Sequence, residues 1–119
     1  EGVPAVGDFR VIQALNQAAE KKEVTFDTGM IVTLDAFYAG PVEFPHKLYK
    51  DSGALGAEME LSALYIISQL RGVHAGGIMA LDGYAYADMD HYDPHKDFVA
   101  QAVEDEINIA LDAIVSVKI

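Results

Sequence analysis

The fold is decided by the stretch GAEMELSAL, residues 56–64, in which two carboxylates flank a methionine at the start of an apolar segment. Nearly every residue of 58–70 that is not a glutamate is apolar or small, and Gly72 follows as a helix stop. A helix that is apolar on all sides is typical of a protein interior. We therefore predict a buried helix that begins near Glu60, preceded by a short strand within residues 54–59.

The two glutamates of this stretch have two interpretations. Acidic residues in the first turn suit the partial positive charge at a helix start, which accounts for one glutamate well. Glu58 and Glu60 also project to the same side if the segment is extended. In open α/β sheets, ligands bind where strands end and helices begin. Local chemistry therefore leaves a structural role and a ligand-binding role open.

The composition limits the kind of protein. The 119 residues suit a single domain, residues 1–119, and 51% of them are hydrophobic, which is enough to form a core. With 19 acidic and 8 basic residues, the formal charge of −11 argues against nucleic acid and anionic membranes as partners. The absence of cysteine excludes disulfides and thiolate metal sites. No apolar run suits a membrane span, and the cytoplasm is the expected location.

Three further helices are predicted. Asp8 is the expected N-cap of an amphipathic helix over residues 9–21, and a short helix is expected over residues 47–50. The chain closes with a helix over residues 97–118. The apolar face predicted for this last helix consists of Val99, Val103, Ile107, Ala110, Leu111, Ile114 and Val117.

Two longer strands are predicted around the central stretch. The first, residues 24–34, leads into the adjacent aromatics Phe37 and Tyr38, which suit either core packing or a platform for a planar ring. The second, residues 73–81, ends at Asp82. Alternating helices and strands predict an α/β fold, a three-layer α/β/α arrangement with a mixed, mostly parallel sheet. Two long strands and one short strand form too small a sheet for three substantial helices to pack on. The sequence therefore resembles part of a larger domain.

Residues 83–96 are rich in tyrosine and aspartate. A metal cluster is one interpretation of their carboxylates and imidazoles, but the spacing fits no compact ligand motif. We interpret the segment as a solvated loop and predict no metal site. The side chains concerned are Asp88, Asp90, His91, Asp93 and His95.

Three segments occur in an order and at separations that resemble a known family. They are DAFY (35–38), AEMELSAL (57–64) and GGIMALDG (76–83), and PAVGDF (4–9) and the closing helix are similar too. Together they resemble the C-terminal half of the trimeric or hexameric nucleoside phosphorylases, the purine nucleoside and uridine phosphorylase family. The resemblance implies an incomplete part of a larger phosphorylase domain and a homo-oligomer, a trimer of dimers.

The resemblance also implies a nucleoside-binding set, whose members are Phe37, Tyr38, Ala57, Glu58, Met59 and Glu60. In the family, the aromatic pair packs against the base and sugar, and Ala57 and Glu58 match positions on the base side. Met59 matches a methionine under the ribose. Glu60 matches a carboxylate that binds the ribose hydroxyls, a role suited to charge-assisted hydrogen bonds.

Asp82 matches the catalytic aspartate that acts at N7 of the departing purine. Cleavage of the N-glycosidic bond leaves negative charge on the base, and a protonated carboxyl at N7 relieves that charge. Burial raises carboxyl pKa values and is one means of keeping such a proton. Without the resemblance, the Asp82-Gly83 pair would be interpreted as a turn.

The implied reaction is phosphorolysis of purine nucleosides of the inosine or guanosine type, with inorganic phosphate as co-substrate and no cofactor. Pro41 and Glu43 stand where the uridine enzymes carry glutamine and arginine, which favours a purine. The phosphate-binding residues of the family lie in its N-terminal half, and neither Arg10 nor Arg71 matches them. A uridine phosphorylase, a hydrolytic nucleosidase and a non-enzymatic nucleoside-binding fragment therefore stay open as alternatives.

Overall fold

A computed structural model describes residues 2–85, 93 and 96–119 of the chain. Among these residues, no helix combines the length and the apolarity needed to cross a bilayer. The described elements belong to the α/β class. In chain order they are α1 (Phe9–Lys21), β1 (Ile31–Thr33), α2 (His46–Asp51), β2 (Gly56–Glu58), α3 (Leu61–Arg71) and α4 (Asp97–Ser116).

The sheet consists of β1 and β2, which pair in parallel. The short strand predicted before α3 is therefore confirmed, and the bounds of α2 agree with the short helix predicted there. Two flanking backbone bonds continue the pairing, Leu55 N to Met30 O at 2.9 Å and Leu34 N to Glu58 O at 2.8 Å. The register pairs Ile31 with Gly56, Val32 with Ala57, and Thr33 with Glu58.

The two longer strands were predicted wrongly. The strand expected over residues 24–34 is limited to β1, and in the described chain residues 73–81 contain no strand. A strand requires ladder bonds to a neighbour, whereas this second segment uses its backbone differently: the Ala75 carbonyl accepts from the Asp8 amide at 2.7 Å. The composition of residues 24–34 and 73–81 favours strands, but it does not indicate whether a partner strand lies beside them, so it did not predict where pairing stops.

The core of the described residues lies between α1 and α4. Its buried members are Ala14, Leu15, Ala18 and Ala19 of α1, with Ile109 and Ala113 of α4. Most of these are alanines, whose small side chains allow two helices to approach closely. The amphipathic pattern predicted for α1 is therefore confirmed, and its apolar face is covered by α4.

The face predicted for α4 is correct only in part. Val99 is buried, and Ala110 and Val117 pack against the core. Leu111 and Ile114, by contrast, are 59% and 73% exposed. This helix carries apolar residues on more than one side, so the hydrophobic pattern alone did not identify the side that packs against the alanines of α1.

The prediction that α3 is buried is wrong for the described chain. Its ends agree with the sequence, because Gly72 follows the helix at φ 66° and ψ 28°, the left-handed conformation that glycine adopts without strain. However, Ser68 is its one buried residue, and the apolar Ile67 and Leu70 are 58% and 79% exposed. The described residues supply no layer that covers this side of α3.

Asp8 connects the start of α1 to the segment after α3. As the N-cap, its carboxylate accepts from the Arg10 and Val11 amides at 2.8 and 3.4 Å, which confirms the predicted cap. The same carboxylate contacts the Arg10 guanidinium at 3.0 Å and Nδ1 of His74 at 2.6 Å. Hydrogen bonds from Arg10 and His74 hold the pKa of Asp8 well below its usual value.

This lowered pKa predicts a loss of stability in acid. A carboxyl whose pKa is lower in the folded state contributes stability above its unfolded pKa, about 4, and loses it as the pH falls further. We expect the free energy of unfolding to decline below about pH 4, and we expect part of that decline to be absent in Asp8→Asn. Urea unfolding at several pH values measures both, and equal acid dependence in the two proteins would contradict this role of Asp8.

Candidate active site

The candidate site lies where β1 and β2 end. The two strands are parallel and their last residues, Thr33 and Glu58, are paired, so their carboxyl ends meet at one edge of the sheet. The loop after β1 carries the aromatic pair, and the junction after β2 carries Met59 and Glu60. The register thus brings together the two segments that hold most of the predicted site residues.

Glu58 is the cap of α3. Its Oε2 accepts hydrogen bonds from the backbone amides of Glu60 and Leu61 at 2.6 and 2.5 Å. Its Oε1 accepts a hydrogen bond from the Thr33 hydroxyl. The first amides of a helix have no partner within the helix, and the negative charge of Glu58 suits this end of the dipole. The structural interpretation of the two acids therefore applies to Glu58.

Glu60 occupies the N-cap position but does not cap the helix through its side chain. The residue is exposed, and its Oε2 accepts a hydrogen bond from the Met59 amide at 3.2 Å. Met59 is itself 38% exposed. Since Glu58 satisfies the helix start, the Glu60 carboxylate is placed at the sheet edge and is accessible to a ligand.

The aromatic pair lies on the loop beyond β1. Phe37 and Tyr38 are both exposed, and their rings meet edge to face with centroids 4.9 Å apart. The sequence left core packing or a platform for a planar ring as the role of this pair. Because both rings are exposed, they do not pack in the core of the described residues. Ala57, the middle residue of β2, is also exposed. The roles that the resemblance implies for these residues stay predictions.

Asp82 is an exposed residue that follows the segment 73–81, which is neither helix nor strand. That segment packs closely on its surroundings: a Cβ at Gly77 would lie 2.8 Å from the Leu61 side chain, and Leu81 would contact a Cβ at Gly56 at 3.6 Å. The segment that leads to Asp82 is therefore held by β2 and by the start of α3. These elements lie on either side of the Glu-Met-Glu motif.

Three polar residues beside this site were missed in the sequence. Thr33 is at the end of β1, Tyr65 is the one aromatic residue of α3, and Glu106 faces the Ala80 backbone from α4. Burial raises the pKa of Tyr65, and hydrogen bonding to the Gly77 backbone partly opposes the rise. Burial likewise raises the pKa of Glu106. A polar group among apolar neighbours was the available signal for Thr33 and Tyr65, whereas Glu106 lies in an acidic run, residues 104–106, that gave no such signal.

A cleft of about 240 Å³ is lined by Tyr65 together with residues from the segment before α1, from α3 and from the segment after α3. Its polar lining comes from Asp8, Ser68 and Gln69, and it contains none of the nucleoside-binding set. In the described part of the chain, no three histidine or acidic side chains cluster as metal ligands would. Of the cluster considered between residues 83 and 96, only Asp93 is among the described residues.

Comparison with known proteins gives a consistent result. A model of the phosphorylase superfamily matches residues 1–116. A purine nucleoside phosphorylase of Plasmodium falciparum is 38% identical over 112 residues, which cover 92% of this chain and 45% of that protein. A guanosine phosphorylase of Halorubrum lacusprofundi is 32% identical over 117 residues, covering 93% of this chain and 47% of that protein.

The fold comparison agrees with the sequence comparison. The crystal structure of purine nucleoside phosphorylase from Toxoplasma gondii in complex with immucillin-H superposes with a TM-score of 0.82 at 33% identity. The match covers 95% of this chain and 46% of that structure. The chain spans about half the length of the curated relatives it matches.

The division of roles between the two glutamates predicts different effects on stability. Glu58→Ala removes the acceptor for two helix amides and the Thr33 hydroxyl, so we expect a loss of about 1 to 2 kcal/mol in the free energy of unfolding. Glu60→Ala removes an exposed carboxylate, and we expect a change within about 0.5 kcal/mol. Urea unfolding of the two variants measures the difference. Equal losses would contradict the assignment of the cap to Glu58.

Proposed function

Since the chain belongs to the phosphorylase superfamily, we propose that the protein cleaves purine nucleosides with inorganic phosphate, giving the free base and ribose 1-phosphate. This is the activity of a pentosyltransferase. The observation that carries the proposal is the accessible carboxylate of Glu60 at a strand-to-helix junction, released from helix capping by Glu58. The relatives, a purine nucleoside phosphorylase and a guanosine phosphorylase by name, support the same substrate class.

Glu60 is proposed to bind the ribose hydroxyls. An ionised carboxylate accepts two hydroxyl donors through charge-assisted hydrogen bonds, which fixes the orientation of the sugar. Met59 offers a polarizable, apolar surface for the ribose. Phe37 and Tyr38, exposed on the neighbouring loop, offer ring faces and edges to the base and sugar, while Ala57 and Glu58 are proposed to face the base side.

Asp82 is the proposed catalytic residue. As the glycosidic bond breaks, the ribosyl ring gains positive charge and the purine gains negative charge. Transfer of a proton from Asp82 to N7 neutralises the charge on the leaving base. Because the described residues leave Asp82 exposed, burial of its carboxyl would have to come from the bound nucleoside or from the rest of the protein. The purine preference rests on this residue and on Glu43, whose negative charge would repel the carbonyl oxygens of uracil.

Inorganic phosphate is the proposed nucleophile, and neither a cofactor nor a metal is part of the proposal. The Arg10 guanidinium is bound to Asp8 and lies 2.8 Å from Nδ1 of His74, and Arg71 lies in the last turn of α3. We infer that the phosphate is bound by residues from the part of the phosphorylase fold that this chain does not match. These belong to the rest of the natural protein or to a neighbouring subunit.

The family resemblance also supports a proposal for the architecture and assembly of the protein. We propose that residues 1–119 belong to one domain with three layers, α/β/α, in which a larger mixed sheet covers apolar residues such as Ile67 and Leu70. A homo-oligomer, a trimer of dimers, in the cytoplasm is the proposed form of the protein. These statements rest on the resemblance of the motifs and on the exposure of α3.

The first test is the cleavage of inosine by the protein at its natural length, with and without phosphate. We expect hypoxanthine release that requires phosphate, and an intact mass of roughly twice the 12.9 kDa of this chain. Release at the same rate without phosphate would identify a hydrolytic nucleosidase instead. Faster cleavage of uridine than of inosine would contradict the purine preference, and binding without turnover would leave a nucleoside-binding protein.

A second test concerns Asp82. Asp82→Asn keeps the size of the side chain but holds no acidic proton, so we expect kcat for inosine to fall by about 10²-fold or more while KM changes little. Asp27→Asn, which removes the same charge from an exposed position before β1, is the matched control and should leave kcat unaltered. Steady-state kinetics measure both. Unchanged turnover by Asp82→Asn would remove this residue from the mechanism.

A further inference from the structure

The hydroxyl of Thr33 lies between a strand, a helix and a carboxylate. It donates a hydrogen bond to Oε1 of Glu58, its cross-strand partner, and accepts one from the Ser62 amide at 3.1 Å. A threonine hydroxyl has one proton to donate and two lone pairs to accept with. The Thr33 hydroxyl therefore connects the end of β1 to Glu58 and to the Ser62 amide at the same time.

Thr33 and Glu58 together complete the start of α3. Glu58 takes the amides of Glu60 and Leu61, and Thr33 takes the next amide, that of Ser62. Three successive amides of the helix start are thus bound by side chains from two different strands. The residue at the N-cap position, where such a side chain ordinarily originates, makes no capping bond.

This arrangement determines where Glu60 points. The amides of Glu60 and of Leu61 are both bound to the same oxygen of Glu58, so the backbone is held on each side of the Glu60 Cα. The direction of a Cα–Cβ bond follows from the backbone around it. Thr33 in turn holds Glu58 through its other carboxylate oxygen.

We propose that Thr33 and Glu58 are positioning residues for Glu60, and that they set the affinity of the site for the ribose of the nucleoside. The inference rests on the proposed function, in which Glu60 binds the ribose hydroxyls. It adds a residue from β1 that none of the motifs contains, and it gives Glu58 a role besides any contact with the base. Neither residue needs to contact the substrate for this effect.

The size of the effect follows from the demands of orientation. A group displaced by about 1 Å from its productive position loses up to about 10²-fold in rate. Supporting residues around metal ligands, which act in the same indirect way, change affinity by about 10- to 100-fold. Removing the Thr33 hydroxyl leaves Glu58 bound to two amides, so we expect an effect at the lower end of these ranges.

The test uses Thr33→Val, which has nearly the same shape and keeps the β-branched side chain suited to a strand. In the natural-length protein we expect KM for inosine to rise about 10-fold with a smaller change in kcat, because binding of the ribose is affected first. Thr33→Ser retains the hydroxyl and should return KM to within about twofold of the original. The matched control is Thr28→Val, which removes an exposed hydroxyl bonded to Asn16 Oδ1 at 2.7 Å and should leave KM unchanged.

A double-mutant cycle with Glu60→Ala separates positioning from general destabilisation. If Thr33 acts through Glu60, adding Thr33→Val to Glu60→Ala should change KM by less than about twofold, because the carboxylate that Thr33 positions is already absent. Effects that multiply in the double variant would show that Thr33 acts independently of Glu60 and would overturn the inference. An unchanged KM in Thr33→Val alone would overturn it as well.

The outcomes also distinguish this inference from the proposed function. If the original protein does not cleave inosine, the proposed function fails and the positioning of Glu60 for ribose fails with it. If the original protein is active and Thr33→Val behaves as Thr28→Val does, the proposed function stands and only the inference is lost. Amide hydrogen exchange at Ser62, expected to accelerate in Thr33→Val but not in Thr33→Ser, reports independently whether the hydroxyl holds the helix start.

Discussion

The pairing of β1 with β2 in one register is the constraint on which the site depends. Paired residues of neighbouring strands point to the same face of a sheet, so the register places Thr33 beside Glu58. A slip of one residue would turn the Glu58 side chain to the other face and remove it from the first amides of α3. The direction of the helix, the exposure of Glu60 and the position of the aromatic loop all follow from this pairing.

Local signals in the sequence predicted the local features of the molecule well. The helix α1 and its Asp8 cap, the left-handed Gly72 after α3 and the short strand before it were all indicated by residues within a few positions of each element. The division of labour between Glu58 and Glu60 was not accessible in this way. Composition does not indicate which of two neighbouring glutamates accepts the helix amides, and Glu58 also binds the hydroxyl of Thr33, which lies 25 positions earlier in the chain.

The remaining errors concern partners that composition does not identify. Residues 73–81 have the composition of a strand, but they make no ladder bonds to one among the described residues: the Ala75 carbonyl accepts from the Asp8 amide, and the two glycines pack closely on α1 and α3. In α4 the apolar residues occupy more than one side, and the alanines of α1 select one of them. The apolar composition of α3 predicts a covering layer, which the described residues do not supply, and the chain matches about half of each relative.

The Asp8 carboxylate has partners at very different distances along the chain. Arg10 is two positions away, whereas His74 is 66 positions away. The bond to Arg10 is local to the start of α1, whereas the contact with His74 requires the closure of a long loop, so we expect it to form later in folding. Contacts that form after the rate-limiting step of folding slow the unfolding reaction without accelerating folding. We therefore expect the contact with His74 to lengthen the lifetime of the folded state, and the contact with Arg10 to help α1 to start.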